Sequence, residues 1–146
     1  MASCTDLARA RAQLKEDRSL RCVLCRGDRI HRSTERGVAP MMHFLKDGVE
    51  LSGFSAADRV VGRATAFLFV LAGVVSVFGE VMSEGALAVL RDYGVEGSYG
   101  ELVPHIINRE GTGICPMEQA VTGINDPERA HAAVEQTLAR LRAKRD

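Results

Sequence analysis

The longest apolar stretch of the 146-residue chain, Ala64–Phe78, limits most strongly the folds that the chain can adopt. Gly73 interrupts this stretch, and the stretch is too short for a helix that spans a bilayer. The part before Gly73, which begins at Ser55 or Asp58 and continues to Val70, is apolar on most sides. This pattern predicts a helix that is buried against a sheet.

Predicted strands and helices alternate around that buried helix. The predicted strands are Ser19–Arg26, Arg29–Thr34, Val74–Val81 and Val95–Leu102, and the other predicted helices are Val38–Lys46, Glu84–Asp92, Met117–Val121 and Glu128–Arg142. A hairpin followed by alternating helices and strands is typical of an α/β protein, a three-layer α/β/α sandwich with a mixed sheet. Residues 1–18 are predicted to form a helical lead-in or tail, and residues 19–146 a single domain.

The composition gives no indication of a nucleic acid or a membrane as the binding partner. Lys+Arg and Asp+Glu number 19 each, so the net charge is zero and predicts neither a nucleic acid nor an anionic membrane as partner. Trp is absent, which removes one kind of platform for stacking bases. The charged N-terminal segment has no apolar signal-peptide core, and we therefore expect a cytoplasmic protein with reduced thiols. A homo-oligomer is left open.

Cys22 and Cys25 form a C-x-x-C pair inside the first predicted strand. Residues three apart on a strand point to opposite faces of the sheet. The pair therefore favours two separate buried thiols, although a redox pair or half of a zinc site is the alternative.

The stretch Ile106–Val121 combines flexible backbone, a candidate nucleophile and the start of a helix. Gly111 and Gly113 permit positive φ or a close approach of a ligand to the backbone. Pro116 suits the first turn of a helix and places Cys115 at about the N-cap. A thiol there lies near unpaired N–H groups and the positive end of the helix dipole, which favours the thiolate. The alternative is an inert, buried cysteine.

In α/β sheets, ligands bind at the carboxyl ends of the strands and at the starts of helices. We expect three parts of the chain to meet there: the start of the buried helix, the turn from the central strand into the next helix, and the Gly-rich stretch. The candidate ligand-binding residues are Asp58, Arg63, Ser83, Glu84, Asn108, Arg109, Glu110, Gly111, Thr112, Gly113 and Glu118, with Cys115 as the candidate catalytic nucleophile. The alternatives are structural: an ion pair for Arg59 or Arg63, and an N-cap for Ser83.

Three segments carry a resemblance to a known family: residues 57–64 (ADRVVGRA), 80–84 (EVMSE) and 102–121, above all the run Gly-Thr-Gly-Ile-Cys-Pro-Met-Glu. Together with the hairpin, they resemble a family of uncharacterised prokaryotic proteins, a domain-of-unknown-function family placed with the cytidine-deaminase-like fold. The resemblance covers about residues 19–135 and implies that fold. True zinc deaminases open one buried helix with His-x-Glu or Cys-x-Glu and the next with Pro-Cys-x-x-Cys.

By order of elements, these two helices correspond to Asp58–Val70 and Ser83–Leu90, and neither begins with those ligands. The resemblance therefore implies the fold without the zinc site, so zinc is not expected and the cofactor is unknown. One hypothesis is a protein that binds a small polar, nucleotide-like molecule beside a reactive Cys115, with Arg63, Arg109 or His105 to support the thiolate. The second is a non-catalytic sensor or interaction module that uses the pocket for binding only. The third is an unusual metal site made of Cys115, Glu118 and Asp58.

Overall fold

The computed structural model of the protein describes residues 2–108 and 110–145, and the side chains of residues 5–108 and 110–144. Its strands are β1 (Cys22–Arg26), β2 (Arg29–Ser33), β3 (Ser55–Val61), β4 (Ser76–Ser83) and β5 (Glu96–Val103). Its helices are α1 (Ala2–Glu16), α2 (Ala39–Lys46), α3 (Arg63–Ala72), α4 (Glu84–Asp92), α5 (Pro116–Ala120) and α6 (Pro127–Arg145).

The five strands form one mixed sheet in the order β2-β1-β3-β4-β5. The hairpin strand β1 pairs antiparallel with both β2 and β3, whereas β3, β4 and β5 run parallel. Parallel neighbours need a crossover, and α3 and α4 supply the two crossovers between β3, β4 and β5. The carboxyl ends of three adjacent strands therefore meet at one edge of the sheet, beside the starts of α3 and α4.

Helices cover both faces of the sheet. On one face, Ala10 and Leu14 of α1 pack with Val23, Cys25 and Ala57 in a small core. On the other face, α2, α3, α4 and α6 bury a larger core that contains all three fully buried phenylalanines: Phe54, Phe67 and Phe69. This arrangement confirms an α/β protein with a mixed sheet between helical layers, as in a three-layer sandwich. None of the helices in the described part of the chain has the length and apolar character that crossing a bilayer requires.

The prediction of one buried helix from Ser55 or Asp58 to Val70 was wrong in its first half. Ser55–Val61 is strand β3, and the helix begins only at Arg63, after the extended backbone of Gly62. The strand lies between α1 and α3, and six of its seven residues are buried. A strand that is buried on both faces has no alternating pattern, so periodicity alone does not distinguish it from a buried helix.

The predicted helix ends are confirmed where a cap was identified. Gly73 ends α3 in the left-handed conformation with φ 83°. Ser83 caps α4, since its Oγ accepts a hydrogen bond from the Ala86 N–H at 3.0 Å. Asp126 caps α6 by accepting a bond from the Arg129 N–H at 2.9 Å. Each cap satisfies a backbone group that would otherwise have no partner in the helix.

Candidate functional site

The start of α3 is occupied by a carboxylate from another part of the chain. The Arg63 and Ala64 N–H groups donate hydrogen bonds to the two carboxylate oxygens of Glu118, at 2.9 and 3.0 Å. These N–H groups have no acceptor within the helix, and a negative charge is favourable at a helix N-terminus. Gly62 allows the close approach, because a Cβ at this position would lie 2.6 Å from Oε2 of Glu118.

Glu118 belongs to α5, a helix of about one turn that begins at Pro116, one residue before the predicted start. Cys115 is its N-cap residue and is half-buried, but its side chain makes no capping hydrogen bond. The Cys115 N–H donates to the Ile106 carbonyl at 2.9 Å, which fixes the backbone of Cys115 beside that of Ile106. A helix this short carries little macrodipole.

The Cys115 side chain lines a small cavity at the start of α3, which we call the Cys115 cavity. Its volume is about 50 Å³, and its lining is mostly apolar. It is lined by Gly37, Val38, Val60, Gly62, Ala64, Thr65, Ile106, Cys115, Met117 and Glu118. Water in the liquid takes up roughly 30 Å³ per molecule, whereas sites for small organic ligands measure roughly 300–1,000 Å³. In this conformation the cavity has room for one or two waters and not for a nucleotide-sized molecule.

In the Gly-rich loop, Asn108 forms hydrogen bonds with other residues of the loop. Oδ1 of Asn108 accepts a bond from the Thr112 N–H at 3.0 Å, and the Asn108 N–H donates to the Gly113 carbonyl at 2.8 Å. Gly111 has the positive φ of 73° that its position in the turn requires. Glu110 is exposed to solvent. Arg109, the remaining candidate in this loop, lies outside the described residues.

The two arginines near the start of α3 point to different partners. Arg59 lies in β3 on the α1 side, where its guanidinium donates to the Leu14 carbonyl and to Glu80, both at 2.7 Å. Arg63 donates to the Ile124 carbonyl and, at 2.9 Å, to Oδ1 of Asn125. Neither side chain lines the Cys115 cavity. The ion-pair alternative is confirmed for Arg59, whereas Arg63 attaches the loop before α6 to α3.

Asp58 is also separate from the cavity lining. It is 4% exposed in the middle of the sheet, where it lies opposite Cys22 of β1. Burial raises the pKa of Asp58 to about 8, although backbone hydrogen bonds from Arg59 and Val60 oppose the rise. Its Oδ2 atom has no hydrogen-bond partner among the described residues. Burial therefore favours the neutral, protonated form of this carboxyl group.

The turn into α4 contributes a cap and an exposed carboxylate. Ser83 is 2% exposed and is engaged by the Ala86 N–H, which confirms the N-cap alternative. Glu84 is exposed in the first turn of α4. Of the predicted site residues that the structure describes, only Cys115 and Glu118 lie together at the Cys115 cavity.

The C-x-x-C pair lies on a strand, as predicted. Cys22 belongs to the core on the α3 side of the sheet, and Cys25 belongs to the core under α1. Burial raises the pKa of both thiols, that of Cys22 well above its usual range. Within residues 5–108 and 110–144, no group of three His, Cys, Asp or Glu side chains is arranged to hold a metal ion.

Sequence reasoning missed most of the cavity wall. Val38, Val60, Thr65, Ile106 and Met117 come from five separate segments. None of these residues carries a chemical group that marks a site in the sequence. The engagement of Glu118 was missed as well, because its two donors lie more than 50 residues earlier in the chain.

Comparison with protein-family models matches residues 9–138 to the family described as "TM1506: Domain of unknown function (DUF1893)". Among solved structures, the chain is similar to that of TM1506, a DUF1893 family protein from Thermotoga maritima, with 26% sequence identity and a TM-score of 0.77. The similarity covers 92% of this chain and 90% of that chain. Comparison with curated proteins finds no significant match.

Proposed function

The chain belongs to the DUF1893 family of domains of unknown function, and we propose that it binds a small polar, nucleotide-like ligand at the Cys115 cavity. The observation that carries this proposal is the meeting of the Cys115 thiol with the start of α3 at one cavity. A thiol is the most nucleophilic side chain at neutral pH. The N–H groups at the start of α3, which Glu118 accepts in this conformation, become donors for polar ligand groups when Glu118 is released. The site also lies at the carboxyl ends of parallel strands, where ligands of α/β proteins bind.

The order of elements supports a cytidine-deaminase-like relationship. In that relationship, the helices that follow β3 and β4 are the two that carry zinc ligands in true deaminases. Here α3 begins Arg63-Ala64-Thr65 and α4 begins Glu84-Gly85-Ala86, without His or Cys. The sequence predicted that this helix begins at Ser55 or Asp58, whereas α3 begins at Arg63. Neither of these helix starts has the His and Cys residues that bind zinc. We therefore propose a deaminase-like pocket with different chemistry from zinc-assisted deamination.

A covalent role for Cys115 needs a base or cation that stabilises the thiolate. Arg63 is engaged with Ile124 and Asn125, and His105 is exposed outside the cavity lining. Among the described residues of the lining, Glu118 is the only ionisable neighbour of Cys115, and it is an acceptor already bonded to two N–H groups. This observation favours the second candidate function, a non-catalytic sensor or interaction module that uses the pocket for binding only.

Intact mass measured under denaturing conditions, with Cys115→Ser as the matched control, separates the two functions. A reactive Cys115 predicts an adduct on the purified wild-type protein that is missing from the variant, and the added mass indicates the ligand. The binding-only function predicts unmodified masses and saturable calorimetric binding of cytidine or cytidine monophosphate to both proteins. Unmodified masses together with no saturable binding of either probe would contradict the proposed ligand class.

A further inference from the structure

We propose that the Glu118 carboxylate is a latch, which holds α5 and Cys115 against the start of α3 and so keeps the cavity too small for a ligand. The inference rests on the proposed function of the cavity and assigns Glu118 to the control of access. Glu118 was predicted to bind ligand directly, but both of its oxygens are engaged by the Arg63 and Ala64 N–H groups. The small volume of the cavity, about 50 Å³, gives a reason for such a latch, because a ligand-sized molecule fits there only if one wall moves.

The latch compensates for weak packing of α5. No residue of Pro116–Ala120 is fully buried, and Met117 is the one apolar side chain of this helix that packs against the main core. Charge-assisted hydrogen bonds are about twice as strong as neutral ones. The two bonds to Glu118 are therefore the main polar attachment of α5 to α3.

Val121, directly after α5, supplies the fixed point about which the segment moves. Its side chain is fully buried in the main core, in contrast to the exposed and half-buried residues of α5. Release of Glu118 leaves Val121 in place and frees the segment that carries Cys115, three residues before Glu118. Local opening of a segment with few buried contacts costs less free energy than global unfolding.

The absence of a side chain at Gly62 allows the Glu118 carboxylate of α5 to reach the start of α3. A Cβ at Gly62 would lie 2.6–2.8 Å from the carboxylate atoms of Glu118, closer than van der Waals contact allows. Any side chain at this position displaces the carboxylate without changing its charge. Gly62→Ala and Glu118→Gln therefore weaken the latch in two independent ways.

The test measures the rate at which iodoacetamide alkylates Cys115 in the folded protein, followed by peptide mass so that each cysteine is counted separately. We expect Glu118→Gln and Gly62→Ala each to raise the Cys115 rate about tenfold, the change that corresponds to the loss of one charge-assisted hydrogen bond. Residue-resolved amide exchange gives a second readout. The Arg63 and Ala64 amides should lose protection in both variants, whereas the Ala86 amide, which is bonded by Ser83, should not change.

Glu128→Gln is the matched control, since Glu128 is also a first-turn carboxylate but lies exposed on α6. It should leave the Cys115 rate and the exchange of Arg63 and Ala64 unchanged. Unchanged Cys115 rates in both latch variants would overturn the proposal, and so would an equal rise at the buried Cys22 and Cys25, which indicates general unfolding. These readouts need no ligand, so a failed latch and a failed binding function give different results.

Discussion

Asp58 of β3 lies directly opposite Cys22 of β1, and the two side chains occupy the same face of the sheet. Both are buried, and one carboxyl oxygen of Asp58 has no hydrogen-bond partner within the described residues. Burial raises the pKa of Asp58 to about 8. Burial is also the main cause of the raised pKa of the Cys22 thiol, and the nearby Asp58 charge is the smaller cause. The centre of the sheet therefore holds two ionisable groups for which burial favours the neutral form.

The raised pKa of Asp58 predicts that this residue contributes a loss of stability as pH rises from about 4 to about 8. The folded pKa of Asp58 lies above the ordinary value of 3.8, so the folded state binds more protons than the unfolded state throughout this window. The stabilising effect of the neutral carboxyl is complete below the unfolded pKa and is lost as pH rises through the folded pKa. The contribution of one such group is at most about 1.4 kcal/mol of unfolding free energy per pH unit.

Urea denaturation of the wild-type protein and Asp58→Asn at several pH values between 5 and 9 measures this effect. The variant should show a flatter dependence of the unfolding free energy on pH, and it should be the more stable protein above pH 8. Other carboxylates titrate equally in both proteins, so the comparison isolates Asp58. Parallel curves for the two proteins would show that Asp58 is ionised in the folded state.

The hydrogen bonds of Arg59 attach the end of α1 to strand β3, and we expect their loss to lower the stability of the protein. Its guanidinium donates to the carbonyls of Leu14, Asp17 and Leu20 and to the Glu80 carboxylate. Arg59→Ala removes the guanidinium donor from the Leu14 and Leu20 carbonyls, whereas the Asp17 carbonyl keeps its bond from the Leu20 N–H. The substitution should lower the unfolding free energy by on the order of 3 kcal/mol. Glu80→Gln removes only the partly exposed partner and should cost about 1 kcal/mol or less.

Urea denaturation gives both values, and limited proteolysis of α1 gives an independent measure of its attachment. We expect Arg59→Ala to release α1 to protease under conditions in which Glu80→Gln does not. Equal losses of stability in the two variants would mean that the ion pair, rather than the capping of α1, accounts for the role of Arg59.

Most of the fold followed from local features of the sequence. The hairpin at Gly27-Asp28, the stop at Gly73 and the caps at Ser83 and Asp126 each depend on residues within a few positions of one another. Strand β3 was missed because Ala56 and Ala57 are good helix formers that are fully buried between two layers. Burial on both faces is a property of the assembled fold, and a single segment does not reveal it.

The candidate site was only partly predictable for the same reason. Cys115 was identified because Pro116 marks the start of a helix in its own segment. The engagement of Glu118 by α3 joins residues 54 and 55 positions apart, and no local pattern encodes such a pairing. Arg63 and Asp58 were expected to face a ligand because they seemed to share one helix start, whereas the chain places one after β3 and the other inside it.

The positions of Cys22 and Cys25 predict that the two thiols do not form a disulfide in the folded protein. Their side chains belong to cores on opposite faces of the sheet, and a disulfide requires Cβ atoms about 3.5–4.5 Å apart on facing bonds. Treatment of the folded protein with diamide should therefore produce no Cys22–Cys25 disulfide, as checked by mass spectrometry of non-reduced peptides. In a matched sample unfolded in urea, the same treatment should join them. A disulfide formed in the folded protein would mean that β1 leaves the sheet readily.

Ser83 and Ser98 form a matched pair for testing the value of a helix cap. Both have buried hydroxyl groups, but only Ser83 uses its Oγ, as the acceptor for the Ala86 N–H. Ser83→Ala should lower the unfolding free energy by about 1 kcal/mol, because the first turn of α4 loses its acceptor. Ser98→Ala removes a buried hydroxyl with no partner among the described residues, and the change should be neutral or stabilising. Urea denaturation of the two variants at the same pH measures both effects, and a larger loss for Ser98→Ala would show that its hydroxyl has a partner in solution.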